Sequence, residues 1–438
     1  MKKLITAISL LLIITMLPLS LFSCNGGEET LAPTQAPTAA PTEKPTDTQK
    51  PTEKPTEKPT DPTWDPSDYE EVTLDFSKSE DVARVKKIGR YVTSNKIGIG
   101  CDMTASGIEF SGTMYGDVVV AVKCSSVRDT EAYLTVLVDG ERIEQDTYKN
   151  GKRSAGAFYV KTGERLPTEL TVASFDEPGE HTITVLKQTE SGYSLIDFRS
   201  VTINGSFSET APANKDLYIE FIGDSLTCAM GSAGNNTISG GGSAQGINGA
   251  DWEDGTLGYA YLTAKELGAD WSIISESGIG ITHTWFSARM PEFYLRTSYN
   301  RFQSTEYDFE RVPDFIVINL GTNDHYLRDV NGHKDHYVGD QVVRRDTKAF
   351  IETIREKYGE QVPIVWVSGV WNIDSGVTMQ EVDQAIADLG GEDAKIYRLK
   401  LPNNDENRKG AEAHPSAAGH IDTKNKLIEF LKTKGLVD

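Results

Sequence analysis

The stretch Leu217-Tyr-Ile-Glu-Phe-Ile-Gly-Asp-Ser-Leu-Thr227 decides the fold of the second half of the chain. Its first six residues form a short, largely apolar run, which is typical of a strand buried on both faces of a parallel sheet. Gly223 and Asp224 then predict a turn that carries Ser225. Such a turn is also common as a helix N-cap, so the stretch alone does not establish a nucleophile.

Similar short apolar runs continue on the C-terminal side of this stretch. Further short apolar runs predict strands at 271–274, 315–320, 364–367 and 396–399. Amphipathic helices are predicted between and after them, with their apolar positions at Ala260, Ala264 and Leu267, at Phe350, Ile354 and Tyr358, and at Ile421, Ile428 and Leu431. Alternating strands and helices indicate a three-layer α/β domain with a parallel sheet over residues 213–438.

Polar blocks follow the predicted strands and precede the last helix. Ser277-Gly278 follows the second strand, Gly321-Thr-Asn-Asp324 follows the third, and His414-Pro-Ser416 precedes the helix. The carboxyl ends of parallel strands meet at one edge of a sheet, where ligands bind in open α/β folds. Together with Ser225, these blocks supply a hydroxyl nucleophile, hydrogen-bond donors and an imidazole base.

A different pattern occupies residues 69–212. Alternating runs at 117–122, 133–138 and 181–186 predict strands, and Asp139-Gly140 and Glu177-Pro-Gly-Glu180 predict turns between strands. With no long helical period between them, these runs indicate a β-sandwich of jelly-roll type. The pattern leaves open whether this domain binds sugars or serves as a packing platform.

The N-terminal segment predicts export. Lys2 and Lys3 precede an apolar run from Leu4 to Phe22, and Leu21-Phe-Ser-Cys24 resembles a bacterial lipobox. We therefore expect a lipoprotein signal peptide over 1–24 and a lipid anchor at Cys24 on the cell surface. The alternatives are an uncleaved anchor helix and an ordinary signal peptide. Residues 25–68 are rich in Pro and Thr and predict a disordered linker.

Composition excludes several classes of function. With 44 Lys and Arg against 65 Asp and Glu, the acidic chain is not expected to bind nucleic acid. Beyond Cys24 the chain has three cysteines, which allow at most one disulfide and predict no disulfide framework. No metal site is expected, although the sequence between His325 and His336 also contains His333, Asp329 and Asp335, because the helical His-x-x-x-His spacing is missing.

The four blocks around Ser225, Gly278, Asn323 and His414 resemble those of the SGNH or GDSL hydrolase superfamily. Motifs on both sides of residue 212 also resemble carbohydrate esterase family two, at Gly89-Arg-Tyr91, Gly107-Ile-Glu-Phe110, Val138-Asp-Gly-Glu141, Gly179-Glu-His181, Lys187-Gln-Thr-Glu190 and Ile219-Glu-Phe-Ile-Gly-Asp-Ser225. This resemblance covers roughly residues 69–438. It implies a jelly-roll domain joined to a hydrolase domain, and deacetylation of polysaccharides such as xylan or glucomannan.

The residues then take specific expected roles. His414 accepts the proton of Ser225, and the oxyanion is held by the backbone N–H groups of Ser225 and Gly278 and by the Asn323 amide. No cofactor is needed. Where the wider superfamily has an acid three residues before the histidine, this chain has Ala411, and the resemblance implies that the Glu412 backbone carbonyl orients the imidazole in a Ser-His dyad. The competing hypothesis is a triad completed by the side chain of Glu412, Asp405 or Glu406.

Two other functions remain open at this level. The chain could be a non-catalytic carbohydrate-binding surface lipoprotein, or a lipase or thioesterase of the same superfamily that acts on longer acyl chains. The surface that contacts sugar is also open, because Ala413 replaces a tryptophan of the family pattern. Trp252, Trp285 and Trp371 are candidates to replace it.

Overall fold

The computed structural model describes residues 64–127, 131–143, 158–234, 249–285, 288–301, 304–330, 341–371, 373–403 and 408–438. The predicted signal peptide with Cys24, most of the predicted linker, the 331–340 segment with His333, Asp335 and His336, and the 404–407 segment with Asp405 and Glu406 lie outside these residues. Residues 62–438 form one compact unit that contains two β-sheets. Within the described ranges, no helix has the length and apolar character needed to cross a bilayer.

The first sheet is antiparallel and contains ten strands. These are β1 (Glu71–Asp75), β2 (Lys86–Ile88), β3 (Val92–Ser94), β4 (Gly98–Gly100), β5 (Gly107–Ser126), β6 (Ala132–Val138), β7 (Glu141–Arg142), β8 (Phe158–Val160), β9 (Thr168–Lys187) and β10 (Ser194–Phe207). The main path runs β3-β4-β10-β5-β9-β6-β7, while β1 pairs with β10, β2 with β5 and β8 with β6. This arrangement confirms the predicted β-rich N-terminal region.

Strand β5 shows why these sequences form this sheet. Its even-numbered apolar residues Ile108, Phe110, Met114, Val118 and Val120 are all fully buried in one core. Successive side chains of a strand point to opposite faces, so a two-residue period buries one face of the strand.

The predicted turn at 177–180 is wrong, because these residues lie inside the continuous strand β9. The register jumps there: Met114 is opposite Gly179, whereas Gly116 is opposite Phe175. Extra residues on one strand form a bulge that bends the ladder without ending it. Pro178 and Gly179 therefore mark an irregular ladder instead of a chain reversal.

The described residues include the end of the segment that the sequence assigns to the linker. Asp65 caps a short 3-10 turn at Pro66–Asp68 by accepting a hydrogen bond from the Ser67 N–H at 2.9 Å. The ring of Trp64 packs 4.7 Å from the ring of Tyr115 on β5. Residues 64–68 are therefore anchored by aromatic packing that their Pro-rich context did not suggest.

The second sheet has five parallel strands in the order β12-β11-β13-β14-β15. The strands are β11 (Tyr218–Gly223), β12 (Asp270–Ser275), β13 (Phe315–Asn319), β14 (Ile364–Val370) and β15 (Ile396–Asn403). All five predicted strands are present, and the predicted α/β domain with a parallel sheet is confirmed. The first strand, β11, lies between β12 and β13, so the turn after it has a neighbouring strand end on each side.

Eight helices occur in the described residues. They are α1 (Ser79–Val82) beside the first sheet, and α2 (Ser225–Cys228), α3 (Tyr259–Glu266), α4 (Met290–Tyr294), α5 (Thr322–His325), α6 (Val342–Tyr358), α7 (Val377–Asp388) and α8 (Ala417–Thr433) around the second. Short 3-10 turns lie at Gly249–Trp252, Gly255–Leu257, Ile373–Ser375, Gly391–Ala394 and Ala411–Ala413, and a π-helical turn lies at Tyr326–Val330.

The parallel sheet is covered on both faces. Helices α3 and α8 pack with odd-numbered strand residues such as Ile219 and Phe221, whereas α6 and α7 pack with even-numbered ones such as Ile222 and Ile316. One predicted core position is wrong. Ile421 is 45% exposed, while Leu431 on the same helix is fully buried.

Charged contacts join the two sheets. The Lys86 ammonium lies 2.7 Å from an Asp270 carboxylate oxygen, and both side chains are buried. The Arg90 guanidinium lies 3.7 Å from the Glu220 carboxylate, and neither side chain is exposed. Because Lys86 and Arg90 precede the first sheet's long strands and their partners lie on the second sheet, these ion pairs fix how the sheets pack.

The three cysteines of the folded unit are free thiols. Cys101, Cys124 and Cys228 are all buried. Cys228 lies three residues after Ser225, and its thiol donates to the Ser275 hydroxyl at 3.1 Å. Burial raises the pKa of the Cys228 thiol well above its usual range, which disfavours the reactive thiolate. Cys228 is therefore a buried thiol that packs beside the candidate site.

Candidate active site

Ser225 is the first residue of α2, directly after β11 ends at Gly223 and Asp224. The Asp224 side chain caps this short helix by accepting the Leu226 N–H at 3.1 Å. Ser225 is 8% exposed, so most of its surface is buried. The N-cap that argued against a special role for this turn is therefore formed by Asp224, and it leaves the Ser225 hydroxyl available.

His414 reaches this hydroxyl from the segment between the Ala411–Ala413 turn and α8. Its Nε2 atom lies 2.9 Å from the Ser225 Oγ atom. Its Nδ1 atom lies 3.1 Å from the Glu412 backbone carbonyl oxygen. With Nδ1 donating to this carbonyl, Nε2 carries the lone pair that faces the serine.

The backbone before His414 has an unusual conformation. Glu412 and Ala413 have φ values of 54° and 61°, in the left-handed region that non-glycine residues seldom adopt. In this conformation the Glu412 carbonyl points back to the imidazole. The Trp371 indole N–H donates to the next carbonyl, that of Ala413, at 3.1 Å, which holds the turn from the other side.

Burial determines the protonation state of the imidazole. Desolvation lowers the pKa of His414 to about 4, and the hydrogen bond to the Glu412 carbonyl acts in the opposite direction. His414 as a whole residue is partly exposed. At neutral pH the ring is neutral and can accept a proton.

Two backbone N–H groups are available beside the serine. In the described part of the chain, neither the N–H of Ser225 nor that of Gly278 donates to a protein acceptor. Gly278 follows β12 and has a φ of 82°, where a side chain would be strained. Ser225 and Gly278 come from adjacent parallel strands, so their N–H groups lie at the same edge of the sheet.

Asn323 lies on α5, directly after β13. Its amide nitrogen donates to the Ile279 carbonyl at 2.8 Å and makes a long contact of 3.4 Å to the Asp224 carboxylate. Burial raises the pKa of Asp224 to about 7, so this carboxyl is only partly ionised at neutral pH. The first hydrogen bond fixes the amide, and the second N–H is held weakly enough for an anion to compete for it.

Carboxylates that the sequence analysis assigned no role hold the loop that carries Gly278. Asp324 is fully buried and accepts the backbone N–H groups of Ile281, Thr282 and His283 at 2.7 to 2.9 Å. Glu190, from the first sheet, accepts the Ser277 N–H at 2.6 Å. Both acids lie inside motifs that the sequence analysis quotes, Lys187-Gln-Thr-Glu190 and Gly321-Thr-Asn-Asp324, which was the only sequence signal for a role. The backbone groups that they bind are distant in sequence, so the role itself could not be predicted.

The tryptophans considered for sugar contact, and the histidine considered for metal binding, differ in exposure and in their contacts. The Trp371 ring packs edge-on against the His414 ring at 4.8 Å, Trp285 is 52% exposed beside Gly278, and Trp252 is half-buried. The His325 side chain is 15% exposed, and its Nδ1 atom lies 2.9 Å from the Asp329 carboxylate.

A large cavity lies elsewhere in the described residues. It has a volume of about 1110 Å³, and its lining includes Tyr91, Tyr218, Asp270 and Arg311. Tyr218 and Asp270 begin β11 and β12, so this cavity is at the amino ends of the strands, opposite Ser225. Neither Ser225 nor His414 lines this cavity.

Known proteins resemble the chain in sequence and in structure. Residues 221–420 match the GDSL-like lipase/acylhydrolase family. The cellulase/esterase CelE of Acetivibrio thermocellus is 28% identical over 364 residues, which are 81% of this chain and 40% of that protein. An acetylxylan esterase/glucomannan deacetylase of Cellvibrio japonicus is 28% identical over 159 residues, which are 34% of this chain and 41% of that protein. The alignments therefore span about two-fifths of the length of these relatives.

A solved structure extends the similarity to both sheets. A family two carbohydrate esterase from Clostridium thermocellum, in complex with cellohexaose, superimposes with a TM-score of 0.66 and 25% identity, covering 81% of this chain and all of that one. The chain thus carries a GDSL/SGNH lipase-acylhydrolase domain, and over four-fifths of its length it shares the architecture of the family two carbohydrate esterases.

Proposed function

We propose that this protein is a serine esterase, a carboxylic ester hydrolase that removes O-acetyl groups from polysaccharides of the xylan or glucomannan type. The observation that carries the proposal is the 2.9 Å contact between His414 Nε2 and Ser225 Oγ. The available N–H groups of Ser225 and Gly278 support it, as do the names of the relatives, a cellulase/esterase and an acetylxylan esterase/glucomannan deacetylase.

In the proposed reaction, His414 Nε2 takes the proton of Ser225 as the serine oxygen attacks the ester carbonyl carbon. The carbonyl π electrons move to its oxygen, which the N–H groups of Ser225, Gly278 and Asn323 stabilise. The intermediate collapses, the sugar alcohol leaves with the proton from the imidazolium, and an acetyl-serine ester remains. Water, deprotonated by the same imidazole, then releases acetate and restores the serine.

Removal of the Asn323 amide tests the proposed oxyanion site. Asn323→Ala is expected to lower kcat for p-nitrophenyl acetate by about 10²- to 10³-fold with little change in KM, because the lost N–H acts mainly on the transition state. Asn425→Ala, at an exposed position on α8, is the matched control and should match the wild type. An unchanged kcat in a folded Asn323→Ala variant would remove Asn323 from the mechanism.

Glu412 distinguishes a dyad from a triad. If its carbonyl alone orients His414, Glu412→Ala keeps kcat within about 3-fold of the wild type, because alanine retains the carbonyl. A loss of 100-fold or more in a folded variant would instead assign the role to the Glu412 side chain. The steady-state kcat for p-nitrophenyl acetate measures this difference directly.

The acid limb of the pH profile reports on His414. The imidazole must be neutral to accept the serine proton, so kcat/KM falls as pH drops through its pKa. Burial lowers the pKa of His414 toward about 4. We therefore expect the midpoint of this fall in kcat/KM below about pH 6, whereas an unperturbed histidine would place it near pH 6.5. A profile of kcat/KM from pH 4 to 8 measures it, and a limb at or above pH 6.5 would contradict the proposed burial effect.

Substrate class is tested by two series. p-Nitrophenyl esters of increasing chain length should show a preference for acetate, and acetate release should be fastest from acetylated xylan or glucomannan within a panel that includes acetylated peptidoglycan. Faster turnover of long acyl chains would favour a lipase or thioesterase. Binding of these polysaccharides without any turnover would favour the carbohydrate-binding alternative.

We also propose the finer organisation that the sequence indicates. In this proposal a jelly-roll domain spans residues 69–212, a hydrolase domain spans 213–438, and the lipid anchor at Cys24 places the enzyme outside the cell. The exposed Trp285 and the half-buried Trp371 flank the cleft and serve as candidate sugar contacts. Metabolic labelling with a fatty-acid analogue, compared with a Cys24→Ser variant, tests the anchor.

A further inference from the structure

The loop that carries Gly278 is held by a side chain of the other sheet. Glu190 lies in the connection between β9 and β10, and its Oε2 atom accepts the Ser277 N–H at 2.6 Å. Ser277 immediately precedes Gly278, whose N–H is one of the proposed oxyanion donors. A short bond from a carboxylate to a backbone N–H is a strong, charge-assisted contact.

The contact is reciprocal. Glu276, in the loop of Gly278, uses its Oε2 atom to accept the Ser191 hydroxyl and the Gly192 N–H, both at 3.0 Å. Each loop therefore provides a carboxylate for the backbone of the other. These reciprocal contacts involve five residues: Glu190, Ser191, Gly192, Glu276 and Ser277. All but Ser277 are buried or nearly so, which protects most of these bonds from water.

Glu190 is itself fixed by a buried charge cluster. Its N–H donates to the Glu253 carboxylate at 2.5 Å, and the Lys187 ammonium donates to its carbonyl at 2.8 Å. Ligand atoms of Glu190, Glu253 and Cys228 lie within 4.8 Å of one another. Burial, first, and then the charge of Glu190 raise the pKa of Glu253 well above its usual range.

Gly278 needs such an anchor. A glycine with a positive φ lacks the side-chain contacts that restrict rotation of the adjoining peptide groups. Ser277 N–H, bound to Glu190, and Gly278 N–H, which donates to no protein acceptor in the described residues, belong to consecutive peptide units. Fixing the first peptide therefore limits the orientations of the second.

We propose that Glu190 is a positioning residue of the oxyanion site, so that the first sheet is a working part of the active site of the second. This inference rests on the proposed esterase function. Glu190 does not touch the reacting atoms, and it acts by keeping the Gly278 N–H aimed at the position of the oxyanion. Preorganised donors of this kind lower the barrier only when their direction is fixed before the reaction.

Three variants of the full chain test the inference with p-nitrophenyl acetate. Glu190→Ala removes the acceptor and should lower kcat by about 10- to 100-fold while KM stays within about 3-fold. Glu190→Gln keeps an oxygen that can accept the Ser277 N–H and should restore kcat to within about 5-fold of the wild type. Glu180→Ala, which changes an exposed glutamate of the same sheet, is the control and should leave both constants unchanged.

Glu190→Asp decides the case in which Glu190→Ala does not fold. It keeps the charge but withdraws the carboxylate from Ser277, so kcat should fall by at least about 5-fold with KM unchanged. If folded Glu190→Ala, or folded Glu190→Asp in its place, turns over like an active wild type, the inference is overturned. Equal losses in the Ala and Gln variants would also overturn it, because the hydrogen bond would not be the cause. A wild type without turnover would instead overturn the proposed esterase function.

Discussion

Ser225→Ala is expected to lower kcat by about 10⁴- to 10⁶-fold, the largest effect of any single substitution in the protein. Alanine leaves no oxygen to attack the ester and no proton for His414 to accept. The remaining activity would come from substrate binding and the oxyanion donors alone. Acetate release under saturating substrate measures this loss.

The structural cost of the substitution should be small. Ser225 begins α2, but the cap of this helix is the Asp224 side chain, which the substitution leaves intact. The melting temperature should therefore stay close to that of the wild type. Ser206→Ala, at an exposed position on β10, is the matched control and should retain full turnover. Comparable turnover by the folded Ser225→Ala variant would exclude Ser225 as the nucleophile.

Arg90→Ala should lower the free energy of unfolding by about 3–5 kcal/mol, the expected cost of leaving a buried charge without its partner. Arg90 lies 3.7 Å from the Glu220 carboxylate in the core of the second sheet. Its guanidinium also donates to the carbonyl of Arg296 at 2.8 Å and lies 4.1 Å from the centre of the Tyr307 ring. Each of these contacts disappears in the variant.

The loss of unfolding free energy in Arg90→Ala, called the deficit below, should depend on pH. Burial raises the pKa of Glu220, and the charge of Arg90 opposes this shift. Without Arg90 the pKa of Glu220 in the folded state rises further above its unfolded value near 4.3. The folded state then binds the proton more tightly, so the deficit should be smaller near pH 5 than near pH 7.5.

Urea titrations at both pH values measure this prediction. Arg345→Ala is the control, because that side chain is 69% exposed and pairs with Asp346 at the surface, where such a pair contributes about 1 kcal/mol or less. A similar, small effect of Arg90→Ala and Arg345→Ala would show that the buried pair does not hold the two sheets together.

The sequence was sufficient for the parallel sheet and the main polar blocks. Short, nearly continuous apolar runs identify strands such as β11 and β13, and parallel strands place the residues after them at a common edge. Ser225, Gly278 and Asn323 follow three neighbouring strands. His414 precedes the last helix, and its distance from Ser225 could only be observed in three dimensions.

Other features depend on contacts that local patterns do not encode. Glu190 and Ser277 are 87 positions apart, and no periodicity relates them. Strand β9 continues through Pro178 because its pairing with β5 resumes in a shifted register on the other side of the bulge. The left-handed conformation of Glu412 is not a preference of glutamate and is imposed by its surroundings. These three features are therefore set by tertiary packing and not by the local conformational propensity of the sequence.

Covalent labelling of the protein tests the central claim, that His414 activates Ser225, most directly. A fluorophosphonate probe should modify the wild type at Ser225, as located by peptide mass spectrometry, and should react far more slowly with His414→Ala. Modification of another residue, or equally fast labelling of Ser225 without His414, would contradict the claim.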